Sequence, residues 1–403
     1  MFNINEFICR NILHRIESLF KTDIEQNVYE LREYIQGKAI LVIGGAGSIG
    51  SSFIKNILPF EPKTLVVIDI NENGLAELTR DLRSTPGLYV PNDYIPYPVD
   101  FSSKIFDKIF RARKGFDIVV NFSAHKHVRS EKDIFSVEAL LLNNVINLEK
   151  LLSLLSEYPP ERFFCVSTDK AANPVNIMGA SKKIMEDLVF SFSDHFKVNS
   201  ARFANVAFSN GSLLAGFLER ISKQQAISAP LDVQRYFVSP NESGEICMLA
   251  CMLGENREIF FPKLDKTQMM TFPEIAISLL KEFGYTPIKY NSAEEAIAAS
   301  VALKGGSNDY PVYFSKSDTT GEKGYEEFYT DTEIVDFERF KSLGVITSNS
   351  MTHSRKEITF LISQLNSAFN QKHISKSEIV NIMKDFLPNF EHEEKEKSLD
   401  SKM

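Results

Sequence analysis

The chain reads as an α/β protein: a doubly wound parallel sheet with a smaller substrate-binding lobe and helical appendages at both ends. Three observations predict this. Apolar runs such as Ala39-Ile40-Leu41-Val42-Ile43 and Leu65-Val66-Val67-Ile68 lack polar alternation, as for strands buried on both faces. Stretches of helical periodicity separate the runs. A glycine turn, Gly44 to Gly50, joins the first run to a helix.

Taken in order, residues 1–36 form an N-terminal extension. Ile4, Phe7, Ile8, Ile12, Ile16 and Phe20 recur at helical spacing, and acidic residues interrupt the face. The expectation is a helix packed on the main domain or on a second subunit rather than on a membrane. Residues 37–206 form the Rossmann-type domain. Its strands are expected at Ala39–Ile43, Leu65–Asp69, Tyr97–Asp100, Asp117–Phe122 and Arg162–Ser167, with helices at Val137–Ser156 and Gly179–Ser193 between them. Residues 207–345 hold helices (Leu213–Gln225, Ser243–Leu253, Pro273–Phe283, Ala293–Leu303) among loops and short strands, mainly a substrate-binding lobe. Residues 346–403 are two helices and a charged tail.

Composition bounds the function. With 403 residues, 43% hydrophobic, the chain buries a large core, and its net charge of −8 argues against general nucleic-acid binding. Cys9, Cys165, Cys247 and Cys251 have no nearby partners for a metal site and read as reduced core thiols. No apolar run nears the roughly 20 residues of a transmembrane helix, and no cleavable signal pattern precedes the first strand. A soluble, cytoplasmic protein is expected.

The glycine turn carries the cofactor expectation. Gly44, Gly47 and Gly50 suit the tight turn, the approach of backbone to a pyrophosphate, and helix–strand packing. Ser48 and Ile49 open the helix, whose N-terminus offers free N–H groups to phosphates. Asp69 ends the next strand, 19 residues after Gly50. An acid there accepts from an adenosine ribose and repels a 2′-phosphate, which favours NAD over NADP. Asp100 is either an adenine contact or a surface turn residue.

One further segment carries chemistry. Ser167-Thr168-Asp169-Lys170 ends the fifth strand, and Asn176-Ile177-Met178-Gly179-Ala180-Ser181-Lys182 follows closely. The pair resembles the active-site segment of short-chain dehydrogenases with one residue changed. Those enzymes carry Tyr-x-x-x-Lys; here Met178 holds the Tyr position and Lys182 the Lys position. A thioether has no proton to exchange, so acid–base work must pass to another group, and Asp169–Lys170 stands beside it.

The wider set of motifs is similar to the bacterial UDP-N-acetylglucosamine 4,6-dehydratases, extended short-chain dehydrogenases of surface-polysaccharide and glycan biosynthesis. It comprises Gly44–Gly50, the segment Asn121-Phe122-Ser123-Ala124-His125-Lys126-His127-Val128, Ser167–Pro174 with Met178–Lys182, Ala201-Arg202-Phe203-Ala204-Asn205-Val206, and Arg235-Tyr236-Phe237. The resemblance covers roughly residues 37–290 and matches the soluble catalytic portion of larger relatives. It implies oxidation at sugar C4 by NAD+, loss of H5 and of the 6-hydroxyl as water, and return of hydride to C6. NAD then stays bound and recycles.

By resemblance, Asp169 helps the 6-hydroxyl leave and Lys170 is the base at C5. Lys182 holds the nicotinamide ribose. The 4-hydroxyl proton goes to Asp169, to Lys170, or through a Thr168 relay. Ser123, Ala124 and Lys126 lie where such enzymes hold the cofactor ribose, with His127 and Asn205 toward the sugar. Arg129, Arg202 and Arg235 are candidates for the diphosphate, Arg235 preferred. Asn143 is a candidate brace. The partners implied are a UDP-sugar and a second copy of the chain in a homo-oligomer. The Met variant leans toward retention at C5. Two alternatives stand: a nucleotide-sugar 4-epimerase or 4-keto reductase, against which Met178 speaks, and a non-catalytic NAD-binding regulator, which needs no acid–base pair.

Overall fold

The computed structural model describes residues 2–317, 324–347 and 353–392. Six parallel strands build its centre: β1 (Ala39–Ile43), β2 (Thr64–Asp69), β3 (Asp93–Pro98), β4 (Ile118–Asn121), β5 (Arg162–Val166) and β6 (Lys197–Ala201). They lie side by side in the order β3-β2-β1-β4-β5-β6. The chain winds outward from β1 to β3, then returns to β4 on the other side of β1. The crevice at the carboxyl ends of β1 and β4 is therefore the switch point where ligands bind in such sheets. The apolar runs behave as their composition requires: Ile40 to Ile43 and Leu65 to Ile68 are all buried.

Two sheet elements differ from expectation. The third strand was expected at Tyr97–Asp100 and lies at Asp93–Pro98. It pairs with β2 alone, and an edge strand tolerates Pro96 and Pro98, which have no N–H to donate. β6 carries no apolar run. Its buried Ser200 instead donates to the Cys165 carbonyl at 2.8 Å, and Asn199 donates to the Glu255 carbonyl.

Among the described residues ten more strands follow: β7 (Asn205–Val206), β8 (Ile227–Pro230), β9 (Gln234–Arg235), β10 (Phe237–Val238), β11 (Glu258–Pro262), β12 (Met270–Thr271), β13 (Thr286–Tyr290), β14 (Asp309–Ser315), β15 (Val335–Asp336) and β16 (Leu343–Ile346). The region 207–345 thus divides. β11 joins β6 in parallel, and β16 and β15 close that edge antiparallel, giving nine strands. The lobe itself is the parallel set β13-β14-β8 with its own core, which includes Phe217, Leu279, Tyr310 and Val312.

The N-terminal extension ties the two parts together. Phe7, Ile8, Ile12 and Leu13 sit in the lobe's core, whereas Phe20, Leu31 and Ile35 belong to the main core. Between them the helix stops at His14, whose φ of 53° is left-handed. Ile16, expected on the buried face, therefore lies 90% exposed. Arg15 binds both carboxylate oxygens of Glu242 at 2.9 Å. The helices Arg355–Phe369 and Lys376–Phe386 complete the described chain, the first resting on the helix Ile177–Phe190.

Candidate active site

Four loops leave the carboxyl ends of neighbouring strands and meet at the switch point. The glycine turn follows β1, Ser123–His127 follows β4, Thr168–Lys170 follows β5, and Arg202–Asn205 follows β6. Their approach demands small residues. Gly44 has φ +74°, and a Cβ on it would stand 2.6 Å from the Ser123 nitrogen. On Gly50 a Cβ would meet the Gly44 carbonyl at 2.4 Å. Gly47, just before the helix Ser48–Ile57, differs: its Cβ would meet nothing closer than the Gly44 carbonyl at 3.4 Å. Two glycines serve packing and the middle one leaves an open approach to the helix N-terminus, which fits a bound pyrophosphate. Asp69 accepts from the Ala46 N–H at 3.0 Å and the Asn71 N–H at 2.9 Å, each on a different oxygen. Each oxygen retains a lone pair for a hydroxyl. Ser48 accepts from the Asn210 N–H at 2.9 Å, so the loop from the lobe touches the glycine turn. Ile49 is half-buried in that first turn. Asp100 is exposed and caps its own turn, accepting from the Ser102 N–H at 2.7 Å and hydroxyl at 2.8 Å.

At the end of β5, Asp169 is 4% exposed and its Oδ1 is a hub. It accepts the Thr168 hydroxyl at 2.7 Å, the Lys170 N–H at 2.9 Å and the Lys170 ammonium at 3.0 Å. Thr168, Asp169 and Lys170 are thus joined on one carboxylate oxygen. The helix Ile177–Phe190 starts where Asn176 accepts the Gly179 N–H at 2.7 Å. Gly179 lets that helix press on the segment: a Cβ there would stand 2.6 Å from the Lys170 carbonyl. Buried Glu131 accepts the Met178 N–H at 2.8 Å. Met178 itself is 3% exposed and packs in the main core.

Lys182 is likewise buried. Among the described residues its ammonium donates to the Val166 carbonyl at 3.0 Å and contacts the Met185 sulfur at 3.5 Å. Burial lowers its pKa, because a charged ammonium loses hydration there. The Val166 bond takes one of the three N–H donors of an ammonium.

After β4, Ser123 and Ala124 are half-buried. The Ser123 N–H donates to Asn121 at 2.9 Å, and its hydroxyl lies 3.5 Å from Asn143. The stronger brace is Asn144. Its amide accepts the His125 N–H at 2.9 Å and donates to the His125 carbonyl at 3.0 Å and the Ser181 hydroxyl at 3.1 Å. Asn143 and Asn144 lie in a π-helical turn, Leu142–Ile146, a distortion found often at functional sites. Lys126 keeps solvent contact along its side chain, yet the surrounding protein withholds water from its ammonium and lowers its pKa. Desolvation lowers His125 as well. His127 faces Gly211, where a Cβ would be 3.1 Å from its Nε2. The Arg129 side chain lies outside the described residues.

Of the remaining candidates, Asn205 sits in β7 with its N–H on the Tyr236 carbonyl at 3.0 Å. Arg202 is wholly buried and binds the carboxylates of Glu186 and Glu333 at 2.7–2.8 Å, so it holds structure and does not face the cleft. Arg235 donates to the Gln234 carbonyl at 2.8 Å and the Gly324 carbonyl at 3.2 Å, and its Nη2 lies 3.8 Å from Glu326. Glu326 in turn lies 3.7 Å from the Lys170 ammonium. Sequence reasoning missed Glu326, Glu131, Asn144 and Gly179. Only Gly179, inside the motif, left a signal: a glycine near the start of a helix beside a functional segment.

The model for polysaccharide biosynthesis proteins matches residues 40–347. The chain belongs to that family. It is 31% identical over 350 residues to an uncharacterized membrane protein of Methanocaldococcus jannaschii, covering 82% of this chain and 95% of that one. It is 27% identical over 305 residues to the probable polysaccharide biosynthesis protein EpsC of Bacillus subtilis, covering 74% of this chain and 49% of EpsC. The chain therefore spans about half of EpsC. Among solved structures it is similar to DesIV, a dTDP-glucose 4,6-dehydratase of Streptomyces venezuelae with NAD bound, at 18% identity and TM-score 0.55 over 72% of this chain and 88% of that one. That likeness is one of fold. Among the described residues of this family member, no helix is long and apolar enough to cross a membrane, and no cluster of ligating side chains suits a metal.

Proposed function

We propose that this polysaccharide biosynthesis protein is a hydro-lyase that converts a UDP-N-acetylhexosamine, UDP-N-acetylglucosamine first, to the 4-keto-6-deoxy sugar. The carrying observation is the Thr168–Asp169–Lys170 cluster on one carboxylate oxygen at the end of β5, beside a helix whose Tyr position holds buried Met178. The fold is one that a dTDP-glucose 4,6-dehydratase also has.

The glycine turn fits NAD, with Gly44, Gly47, Ser48, Ile49 and Gly50 at the pyrophosphate and Asp69 at the ribose. Ser123, Ala124, Lys126 and Lys182 fall to the nicotinamide side. When bound, the nicotinamide supplies the hydride acceptor at C4 and the hydride returned to C6. The chain's own residues move the protons. Thr168 already donates to Asp169, so a proton leaving the 4-hydroxyl has a two-step path to a carboxylate. Asp169 then carries the proton that lets the 6-hydroxyl depart as water, and Lys170 takes H5. Arg235 offers a planar guanidinium to the diphosphate, and His127 and Asn205 flank the sugar.

The test is NMR of the purified protein with UDP-N-acetylglucosamine in D2O and no added cofactor. A 4-keto-6-deoxy product bearing deuterium at C5 supports the proposal and reports the C5 configuration, expected as retention. Unchanged substrate, with added NAD+ and across the common UDP-sugars, would overturn it.

A further inference from the structure

Four charged side chains alternate in sign along one edge of the site: Asp169, Lys170, Glu326 and Arg235. Lys170 lies 3.0 Å from Asp169 and 3.7 Å from Glu326, and Glu326 lies 3.8 Å from Arg235. We infer that Glu326 is a positioning residue for the proton transfer assigned to Lys170, holding the ammonium that forms there. The inference rests on the dehydratase proposal above.

Glu326 is 4% exposed, and a buried carboxylate is costly unless paired. Two cations assigned to the proposed substrate, Lys170 and Arg235, lie within 4 Å of it. Its backbone is held from several sides. Arg235 donates to the Gly324 carbonyl at 3.2 Å. Asn173 donates to Glu327 at 3.1 Å, and buried Arg202 donates to the Phe328 carbonyl at 3.0 Å. Arg202 is bidentate to Glu186, which accepts the Ser167 hydroxyl at 2.6 Å at the end of β5. Segment 324–328 is thus fixed to the same strand end that carries Lys170.

The chemistry gives that carboxylate a task. In the C5 step the C–H bond breaks, its proton goes to the lone pair of the Lys170 nitrogen, and its electron pair enters the enolate of the 4-ketone. The C6–O bond then breaks, with the proton from Asp169 completing water. Lys170 passes from amine to ammonium, so positive charge develops beside Glu326. A preplaced anion stabilises that charge as it forms, much as a carboxylate steadies a protonating imidazole. Arg235 shares the same carboxylate. A diphosphate arriving on Arg235 leaves more of the Glu326 charge to Lys170, which ties the base to occupancy by the nucleotide.

The experiment compares wild type, Glu326→Gln and Glu326→Asp with UDP-N-acetylglucosamine and its 5-deuterated form across pH. For Glu326→Gln we expect kcat to fall about 10- to 100-fold while KM stays within about threefold. We also expect a larger isotope effect at C5 and an acid limb of kcat moved to lower pH, because the base has lost a flanking anion. Glu326→Asp should return the limb toward wild type. An active wild type with an unchanged acid limb and isotope effect in Glu326→Gln would overturn the role of Glu326 alone. If Glu326→Gln does not fold, Glu326→Ala decides: wild-type kcat and isotope effect overturn the role, and a reduced kcat with a larger isotope effect in folded, cofactor-retaining protein supports it. A wild type silent on every UDP-sugar would sink the dehydratase proposal, and this inference with it.

Discussion

At the scale of single residues, the site turns on which atoms hold a proton. Asp169→Asn keeps the shape of the hub but weakens its acceptor and removes its charge. Lys170→Met keeps the stem and removes the proposed base. Each should cut turnover by about 10²–10⁴-fold while cofactor retention stays at the wild-type level. Product assay and absorbance of bound nucleotide check both, and near-full activity in either variant would end the assignment. Thr168→Val removes the O–H that reaches Asp169 and a longer bond, 3.5 Å, from the Lys170 N–H, so it should slow the C4 step. Met178→Tyr tests the packing. The sequence leaves room for a Tyr there by analogy, but Met178 is 3% exposed within the main core. A larger ring should cost about 1–3 kcal/mol by overpacking, read as a lower urea midpoint. An unchanged midpoint would mean the position opens to the cleft.

At the scale of elements, the active segment is held by contact between the Thr168–Lys170 turn and the helix Ile177–Phe190. Gly179 sets how close they come. Gly179→Ala places a methyl 2.6 Å from the Lys170 carbonyl, and backbone cannot yield as a flexible side chain does. The helix must move, so Gly179→Ala should lose both stability and turnover, whereas Gly216→Ala, on an open helix face, should lose neither. Thermal melts and product assay together decide it, and a wild-type Gly179→Ala would remove the argument from close packing. The same elements show what could be read from the chain. The glycine turn, β1, β2 and β5 were legible because burial on both faces leaves unbroken apolar runs. β3 was displaced because its prolines suit only an edge, which is a property of the sheet and not of the segment. β6 was illegible because its Asn199 and Ser200 donate to carbonyls far along the chain. Glu326 had no local signal at all, since it meets Lys170 from a loop far along the chain.

At the scale of the whole molecule, one segment and three thiols bear on stability. Residues 2–36 lay apolar side chains into both cores, and the Arg15–Glu242 pair lies between those two sets. Glu242 is nearly wholly buried, and Arg15→Ala leaves its carboxylate on the Leu19 and Ser239 N–H groups without that cation; this should cost about 3 kcal/mol, whereas Arg10→Ala, on an exposed pair, should cost about 0–1 kcal/mol. Equal effects would mean the extension is not an anchor. The thiols act through pH. Burial pushes Cys165 to about 11 and Cys251 to about 12, with Cys247 also raised. An unfolded thiol ionises near about 8.5. Below that pH both states keep the proton and the thiols give no slope. Above it the unfolded chain releases protons that the folded chain retains, so stability falls as pH rises from about 8.5 toward 11. Lys182 acts in the opposite sense: burial lowers its pKa, the unfolded lysine holds its proton longer, and stability gains until that unfolded lysine also titrates. The contributions separate by substitution. Cys251→Ala should flatten the alkaline decline of the urea midpoint, and Lys182→Met should steepen it. If both variants follow the wild-type curve from pH 8 to 10.5, Cys251 and Lys182 do not govern alkaline unfolding.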